Sequence, residues 1–462
     1  MIYSPSSPLN MWDTWIFEHK DKFYLYTLNS SEGKRGNWDC IGLALSDDLV
    51  NWKEHGVVLK SRPNLDYMGT GHTWELDGKF MMNFSECVNG LQTIYFAESE
   101  DLMNWKRLGD EYACRPDPKW YQTEKESLLP DPRWDCIWVM PRENGDGYIG
   151  FLTATAAKGI KRGVAGCVIS DDGLRFTPVP PVSPPELVET LEVDSVERIG
   201  DLFYMVYNGF YFLISENQEG PYILPDDDNK LYEPSPYTYF GRFFPYKDKI
   251  LFNHHSIPRD KSDSISLGTL KEVYEKETGK IGLKYWSGND LLRGQSIESG
   301  TSQCSVRSVK EFFTREQHTP FRMDYYEIGE LCLSGLFVDV DIKLNSEEPD
   351  ASVGMYFGDA MTGTAFLAHT DGRIEFGQMQ APSEKPPLSF EPDHEVPWVV
   401  REGITINMRV LVRGPFIELY MNDMFVQCYS MQKDLKGGFG ILVEGGNAEL
   451  KKVDIYQMNL NL

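Results

Sequence analysis

Basic side chains are few for a chain of this length. Against 70 acidic residues stand 45 Lys and Arg, a formal charge of −25. Such a surface repels phosphate backbones and anionic lipid headgroups, which argues against nucleic acid and membrane partners. Long apolar runs are lacking as well; none approaches the roughly 20 residues that a spanning helix needs. The first residues, MIYSPSSPLNMWD, carry neither the basic region nor the apolar stretch of a secretory signal, so a cytoplasmic location is expected. The cysteines (Cys40, Cys87, Cys114, Cys136, Cys167, Cys304, Cys332 and Cys428) form no CxxC pair and no metal-type spacing with histidine. They read as reduced thiols, and neither a metal nor a cofactor is expected.

Aromatic side chains are plentiful, with 11 Trp and 24 Tyr in the 462 residues. A share belongs to the core, and exposed rings suit the apolar faces of sugars. The length itself favours two or more domains.

Internal repetition organises the first three hundred residues. LALSDDLVNWKEHG (43–56) returns as FAESEDLMNWKRLG (96–109), more weakly as VISDDGLRFTPV (168–179) and in outline as LISENQEGPYIL (213–224). Before each runs a turn rich in Gly, Asp or Lys followed by an alternating strand: HKDKFYLYTLN, LDGKFMMNFSE, NGDGYIGFLTA and IGDLFYMVYNG, with a fifth instance in YKDKILFNHHS. Alternating runs joined by such turns are β-meanders, and their spacing predicts a five-bladed β-propeller; a sandwich or solenoid of the same meanders is the alternative. Beyond residue 295 the texture changes. ESGTSQCSVRSVKEFFTREQHTP (298–320) reads as a linker or edge segment, and the long runs GLFVDVDIKL, TAFLAHTDGRIEFGQM and TINMRVLVRGPFIELYMNDMFVQCYSM read as a β-sandwich. The expected division is a catalytic propeller over 1–296 and a linker plus sandwich over 297–462.

The repeat also serves as a ruler for acidic residues. Asp13 lies eight residues before the turn residue Asp21, Glu192 nine before Asp201, and Asp135 eleven before Asp146. All three are expected near the starts of innermost strands, which line the axis of a propeller and converge on one mouth. A lone acid at a strand end is usually a solvated turn residue; three in related positions form a set. Trp12, Trp15, Trp134 and Trp138 are expected to line the same cleft. Carboxylates crowded among apolar groups suit glycoside hydrolysis, with one acting at the anomeric carbon, one protonating the leaving oxygen and one holding the sugar. Glu192, longer and flanked by Leu191 and Val193, is the candidate acid. Asp194 and Glu197 stand within one register slip of it. His72, in YMGTGHTWELDGK, and Arg242, in YFGRFF, are candidates for binding sugar hydroxyls or for structural roles. Adjacent His254 and His255 point to opposite faces of a strand and make a poor pair of metal ligands.

With these residues assembled, the sequence resembles glycoside hydrolase family 32, the invertases, levanases and inulinases. INMRVLVRGPFIELYMNDMFV (406–426) is similar to the family's sandwich segment. The resemblance covers nearly the whole chain and implies a propeller followed by a sandwich, a carbohydrate substrate and β-fructofuranosidase-like exo-hydrolysis with retention. It makes Asp13 the nucleophile of the W-x-N-D-P-N-G box, Asp135 the transition-state stabiliser of the R-D-P box and Glu192 the acid/base of the E-C box. The boxes themselves depart from the pattern. NMWDTWIF has no Asn-Asp-Pro-Asn, RWDCIW inserts Trp134 and lacks Pro, and EVDS has Val193 for Cys. Family 43, inverting arabinofuranosidases and xylosidases on the same propeller, is the nearest competitor, and an inactive carbohydrate-binding protein the second. The insertion at 110–132 either walls off one side of the funnel, as an exo-acting pocket needs, or is a surface loop or a homo-oligomer contact.

Overall fold

The computed structural model describes residues 1–126, 130–226, 228–260, 265–300, 304–305, 312–314, 319–321, 323–331, 334–346, 350–358, 362–380, 389–398, 400–401, 403–431 and 437–460. Four antiparallel sheets follow one another along the chain. The first joins Asn10–His19, Lys22–Ser30, Cys40–Ser46 and Lys53–Lys60; the second Tyr67–Leu76, Lys79–Val88, Leu91–Ser99 and Lys106–Arg107. The third joins Trp134–Pro141, Tyr148–Thr155, Gly163–Ser170 and Thr177–Val179, and the fourth Val193–Ile199, Leu202–Tyr207 and Tyr211–Ser215, extended by a bridge from Ile214 to Ile223. A fifth begins with Thr238–Tyr246 and Lys249–Ser256 and continues through Lys271–Glu277 and Lys280–Tyr285. These are the five blades of a propeller. The ring is tied where Tyr3 bridges to Leu267 of the last blade.

Local chemistry sets each blade. The tight turns hold their residues at positive φ, Lys20 and Asp21 at 53° and 58° and Asp77 and Gly78 at 50° and 77°, the twist that two-residue hairpins favour. The repeated Ser-Asp-Asp-Leu motif is also a turn. Ser46 Oγ accepts the amides of Asp48 and Leu49, and Asp48 Oδ1 those of Val50 and Asn51. Ser99 with Asp101 and Ser170 with Asp172 repeat it. Side chains that satisfy turn amides in this way explain why the motif recurs. Aromatic and aliphatic residues then pack between blades, with Trp74, Phe96, Tyr121 and Trp134 in one such layer.

The fifth blade leads into the second unit. Lys284, on its outer strand, pairs with Met424, so that blade and one sandwich layer form a continuous sheet through Met424–Ser430, Phe416–Met421, Thr405–Arg413, Leu336–Ser346, Gly446–Met458 and Arg293–Gly300. A six-stranded sheet containing Gly438–Glu444, Ser352–Gly358 and Thr362–His369 covers it, and Val338, Val340, Phe366, Phe376, Met408 and Ile441 fill the space between. The strand Arg293–Gly300 pairs with Gly446–Met458, so the chain enters the sandwich as an edge strand inside the stretch where the sequence suggests a division. Lying at an edge, it has no need of the apolar alternation that marks the inner strands.

Candidate active site

Every innermost strand carries a β-bulge near its start. The interrupted pairings lie between Met11 and Thr14, Met68 and Gly71, Asp135 and Trp138, Val193 and Ser195, and Tyr239 and Arg242. A bulge bends the strand and re-aims its side chains, here toward the axis. Asp13 sits within the first bulge, Asp135 immediately before the third, and Glu192 one residue ahead of Val193 at the fourth. The three acids therefore do not share one register; relative to the last residue paired before each bulge they stand at three different steps. The turn-to-bulge distance varies from blade to blade, and the turns are a poor origin for counting.

They nevertheless meet. Asp135, 7% exposed, accepts a hydrogen bond from Ser85 Oγ at 2.6 Å, and Arg133 Nη2 lies 3.4 Å from its other oxygen. The same Nη2 is 2.8 Å from Glu192 Oε1. Glu192 is fixed through its backbone, its amide donating to Asn208 Oδ1 at 2.8 Å and its carbonyl accepting the Asn208 amide at 2.9 Å. Asp13 is 8% exposed, and among the described residues its Oδ1 has no partner. Burial holds the Asp13 carboxyl well above the usual carboxylate range; the charges of Glu192 and Asp135 push the same way, and Arg242 and Arg133 oppose them. Burial works against the charge of Arg133, yet Glu192 and Asp135 together keep its pKa above the ordinary value.

Other expected residues fall in different places. Arg242 is 1% exposed, with Nη1 donating to the Gly71 carbonyl at 2.6 Å and Nη2 2.8 Å from Cys136 Sγ. Its guanidinium lies 4.6 Å from the Phe240 ring. It acts on the carboxylates from beneath, through charge, and presents no edge at the mouth. His72 Nδ1 accepts the Val139 amide at 3.2 Å, with its ring 4.2 Å from that of Trp138; burial, with Arg242, keeps it neutral. Trp15 and Trp134 do not line the cleft. Trp15 donates to Thr73 Oγ1 and stacks on Tyr26, and Trp134 donates to the Cys114 carbonyl beside Tyr121, so both belong to the packing between blades. Alternation turns Trp134 away from its neighbour Asp135, and the bulge between Met11 and Thr14 separates the facing of Asp13 from that of Trp15. Trp12, half-buried, stacks on Trp38 at 5.6 Å and approaches Tyr239, with Arg35 4.5 Å above its ring.

Asp194, fully buried, accepts the Gly209 amide at 2.6 Å, which braces the turn that also holds Glu192. Glu197 lies farther along the strand and accepts the amide of Arg198; burial pushes its carboxyl up to about 7. His254 and His255 diverge as adjacent strand residues should, toward Lys271 and toward Trp12. No cluster of three or more His, Cys, Asp or Glu among the described residues is placed to hold a metal ion. Sequence reasoning passed over Arg133, Ser85 and Trp38. Arg133 was legible in the Arg-x-Asp spacing, whereas Ser85 and Trp38 carry no local signal.

The sequence matches no protein-family model and no curated protein. In structure the chain is similar to fructan 1-exohydrolase IIa from Cichorium intybus, with a TM-score of 0.69 at 12% identity over 99% of this chain and 96% of that one. It is similar to sucrose-6-phosphate hydrolase from Lactobacillus gasseri, with a TM-score of 0.68 at 13% identity over 98% and 91%. A fructosyltransferase from A. japonicus gives 0.68 at 8% identity over 98% and 93%. A family 32 protein from Bifidobacterium adolescentis is matched over 98% of this chain and 80% of its own. The fold is that of glycoside hydrolase family 32. At these identities the likeness establishes the architecture, propeller and sandwich together.

Proposed function

We propose that the protein is a fructoside-cleaving glycoside hydrolase, a retaining β-fructofuranosidase-like exo-hydrolase. The observation that carries this reading is Arg133 held between Asp135 and Glu192, with Asp13 buried beside them. Proteins of this fold have been described in complex with sucrose, with fructosylnystose and with fructose. In the proposed reaction Asp13 attacks the anomeric carbon while Glu192 gives its proton to the glycosidic oxygen and that C–O bond breaks. Water then attacks the furanosyl-enzyme, Glu192 takes up its proton, and Asp13 departs. Asp135, oriented by Ser85, holds sugar hydroxyls. Burial and the Glu192 charge favour a proton on Asp13, whereas productive chemistry needs the proton on Glu192 and the charge on Asp13. Arg133 stabilises Glu192 once its proton has gone.

The test is sugar release from sucrose, short fructans, levan and arabinofuranosides by the parent and by Asp13→Asn and Glu192→Gln. Fructose from the parent, with at least about a 10³-fold loss in each variant, supports the reading. Near-normal turnover by either variant sinks the assignment. Arabinose released with inversion points to a family 43-like enzyme, and sugar binding without release to a carbohydrate-binding protein.

A further inference from the structure

Asp194 is the unpaired residue of the fourth bulge, between Val193 and Ser195, and it is 0% exposed. Its Oδ2 accepts the Gly209 amide at 2.6 Å. Its Oδ1, also buried, has no hydrogen-bond partner among the described residues. The reaction above makes no use of this fourth carboxyl. The charged and titratable groups that face it are Glu192 two residues before it, Asp13 from the first blade, Arg242 from the fifth, and Tyr232 from the segment between the fourth and fifth. The Tyr232 hydroxyl is turned to the Gly209 carbonyl at 3.4 Å.

Arg133 and Arg242 are the cations that act on Asp13, Asp135, Glu192 and Asp194. Arg133 is committed through Nη2 to Asp135 and Glu192, and its Nε lies 3.2 Å from Gln92 Oε1. Arg242 is left for Asp13 and Asp194. Its hydrogen bonds go to neutral groups, the Gly71 carbonyl and Cys136 Sγ, and its Nε has no partner. A carboxylate sealed from water needs a cation or several donors, and a neutral acid does not. One guanidinium does not suffice for two such anions, and crowded carboxyls relieve this by keeping a proton on one of them.

Exposure decides which one. Asp13 keeps 8% of its surface open, and Asp194 none. Burial and the Glu192 charge hold the Asp194 carboxyl well above the usual carboxylate range, and Asp13 adds to this, against the Gly209 amide and Arg242.

We propose that Asp194 is a positioning residue for the nucleophile, a neutral acid that keeps its proton through turnover and so leaves the charge of Arg242 to Asp13. The inference rests on the functional reading above, in which Asp13 attacks as an anion. An anion at Asp194 competes with Asp13 for the same guanidinium and drives the proton back onto the nucleophile.

The experiment pairs infrared difference spectroscopy at pH 7 with pH–rate profiles, for the parent and for Asp194→Asn. A protonated carboxyl has a carbonyl band, shifted in heavy water, that an ionised one lacks. Kinetics are measured on the fructoside that the parent cleaves fastest. Asp194→Asn is expected to lose one protonated-carboxyl band, with the acidic limb of kcat/KM staying within about half a pH unit of the parent's. Asp194→Ser, also neutral, serves for both measurements should the amide disturb the Gly209 turn. An intact band shows Asp194 ionised in the parent and overturns the proposal. A larger shift of the limb shows that Asp194 carried charge beside Asp13 and overturns it as well. Both results leave the hydrolase reading intact. No fructose release by the parent from any substrate overturns that reading, and with it the role given to the proton.

Discussion

Arg133 and Glu192 meet at 2.8 Å across two blades, and the same guanidinium nitrogen stands 3.4 Å from Asp135. One cation therefore holds together two carboxylates that would otherwise repel each other. Arg133→Lys keeps the charge and loses the planar fork that also reaches Gln92. Activity is expected to fall about 10- to 100-fold, and the acidic limb of the pH–rate profile to move upward as Asp13, on which the Arg133 charge acts to favour ionisation, binds its proton more readily. An unmoved limb would remove Arg133 from the electrostatics of the site.

Asp13 is a case of function set against stability. A carboxyl whose folded pKa lies above its unfolded value holds its proton more tightly in the fold. The stability it contributes is complete below the unfolded value and falls away as the pH rises through the folded pKa. Asp13→Asn lacks that loss, so it is expected to melt above the parent at pH 8, with the gap closing toward pH 4. Thermal unfolding at the two pH values checks this, and a parent that melts higher at pH 8 would contradict it.

Gly69 lies within the bulge of the second blade. A Cβ at this position meets Ser85 Oγ at 2.1 Å and Asp135 Oδ1 at 2.6 Å. Gly69→Ala is expected to leave the fold intact, displace the Asp135 carboxylate and lower kcat by about 10- to 100-fold, the scale on which small misplacements act. Circular dichroism alongside kinetics separates this from unfolding.

A buried ion pair joins propeller to sandwich. Lys271 Nζ lies 2.9 Å from Glu418, 2.6 Å from His254 Nε2 and 2.8 Å from the Thr269 carbonyl. Burial works to raise the Glu418 carboxyl, yet Lys271 leads the groups that hold it below its usual range. Glu418→Gln leaves the ammonium buried without its counter-charge and is expected to cost about 3–5 kcal/mol in urea unfolding. Lys271→Met combined with Glu418→Leu should recover much of that loss; a single variant as stable as the parent would mean the pair contributes little.

Much of the architecture was legible because it rests on short-range chemistry. The Ser46–Asp48 and Ser99–Asp101 turns satisfy their own amides within six residues, and alternation between such turns is enough to indicate meanders. Measuring from the turns put Asp13, Asp135 and Glu192 near the starts of innermost strands and no closer, because the bulges beside them arise from pairing with the next strand and leave no trace in spacing.

The sequence by itself determined the turns, the alternating strands and the approximate places of the acids, since each follows from the conformational preferences of a few neighbouring residues. Only the tertiary structure decided that Trp15 and Trp134 are packing residues, that Arg242 is sealed beneath the site, and that Arg133 grips a carboxylate 59 positions away. Such contacts depend on how blades close into a ring, and ring closure is a property of the whole chain.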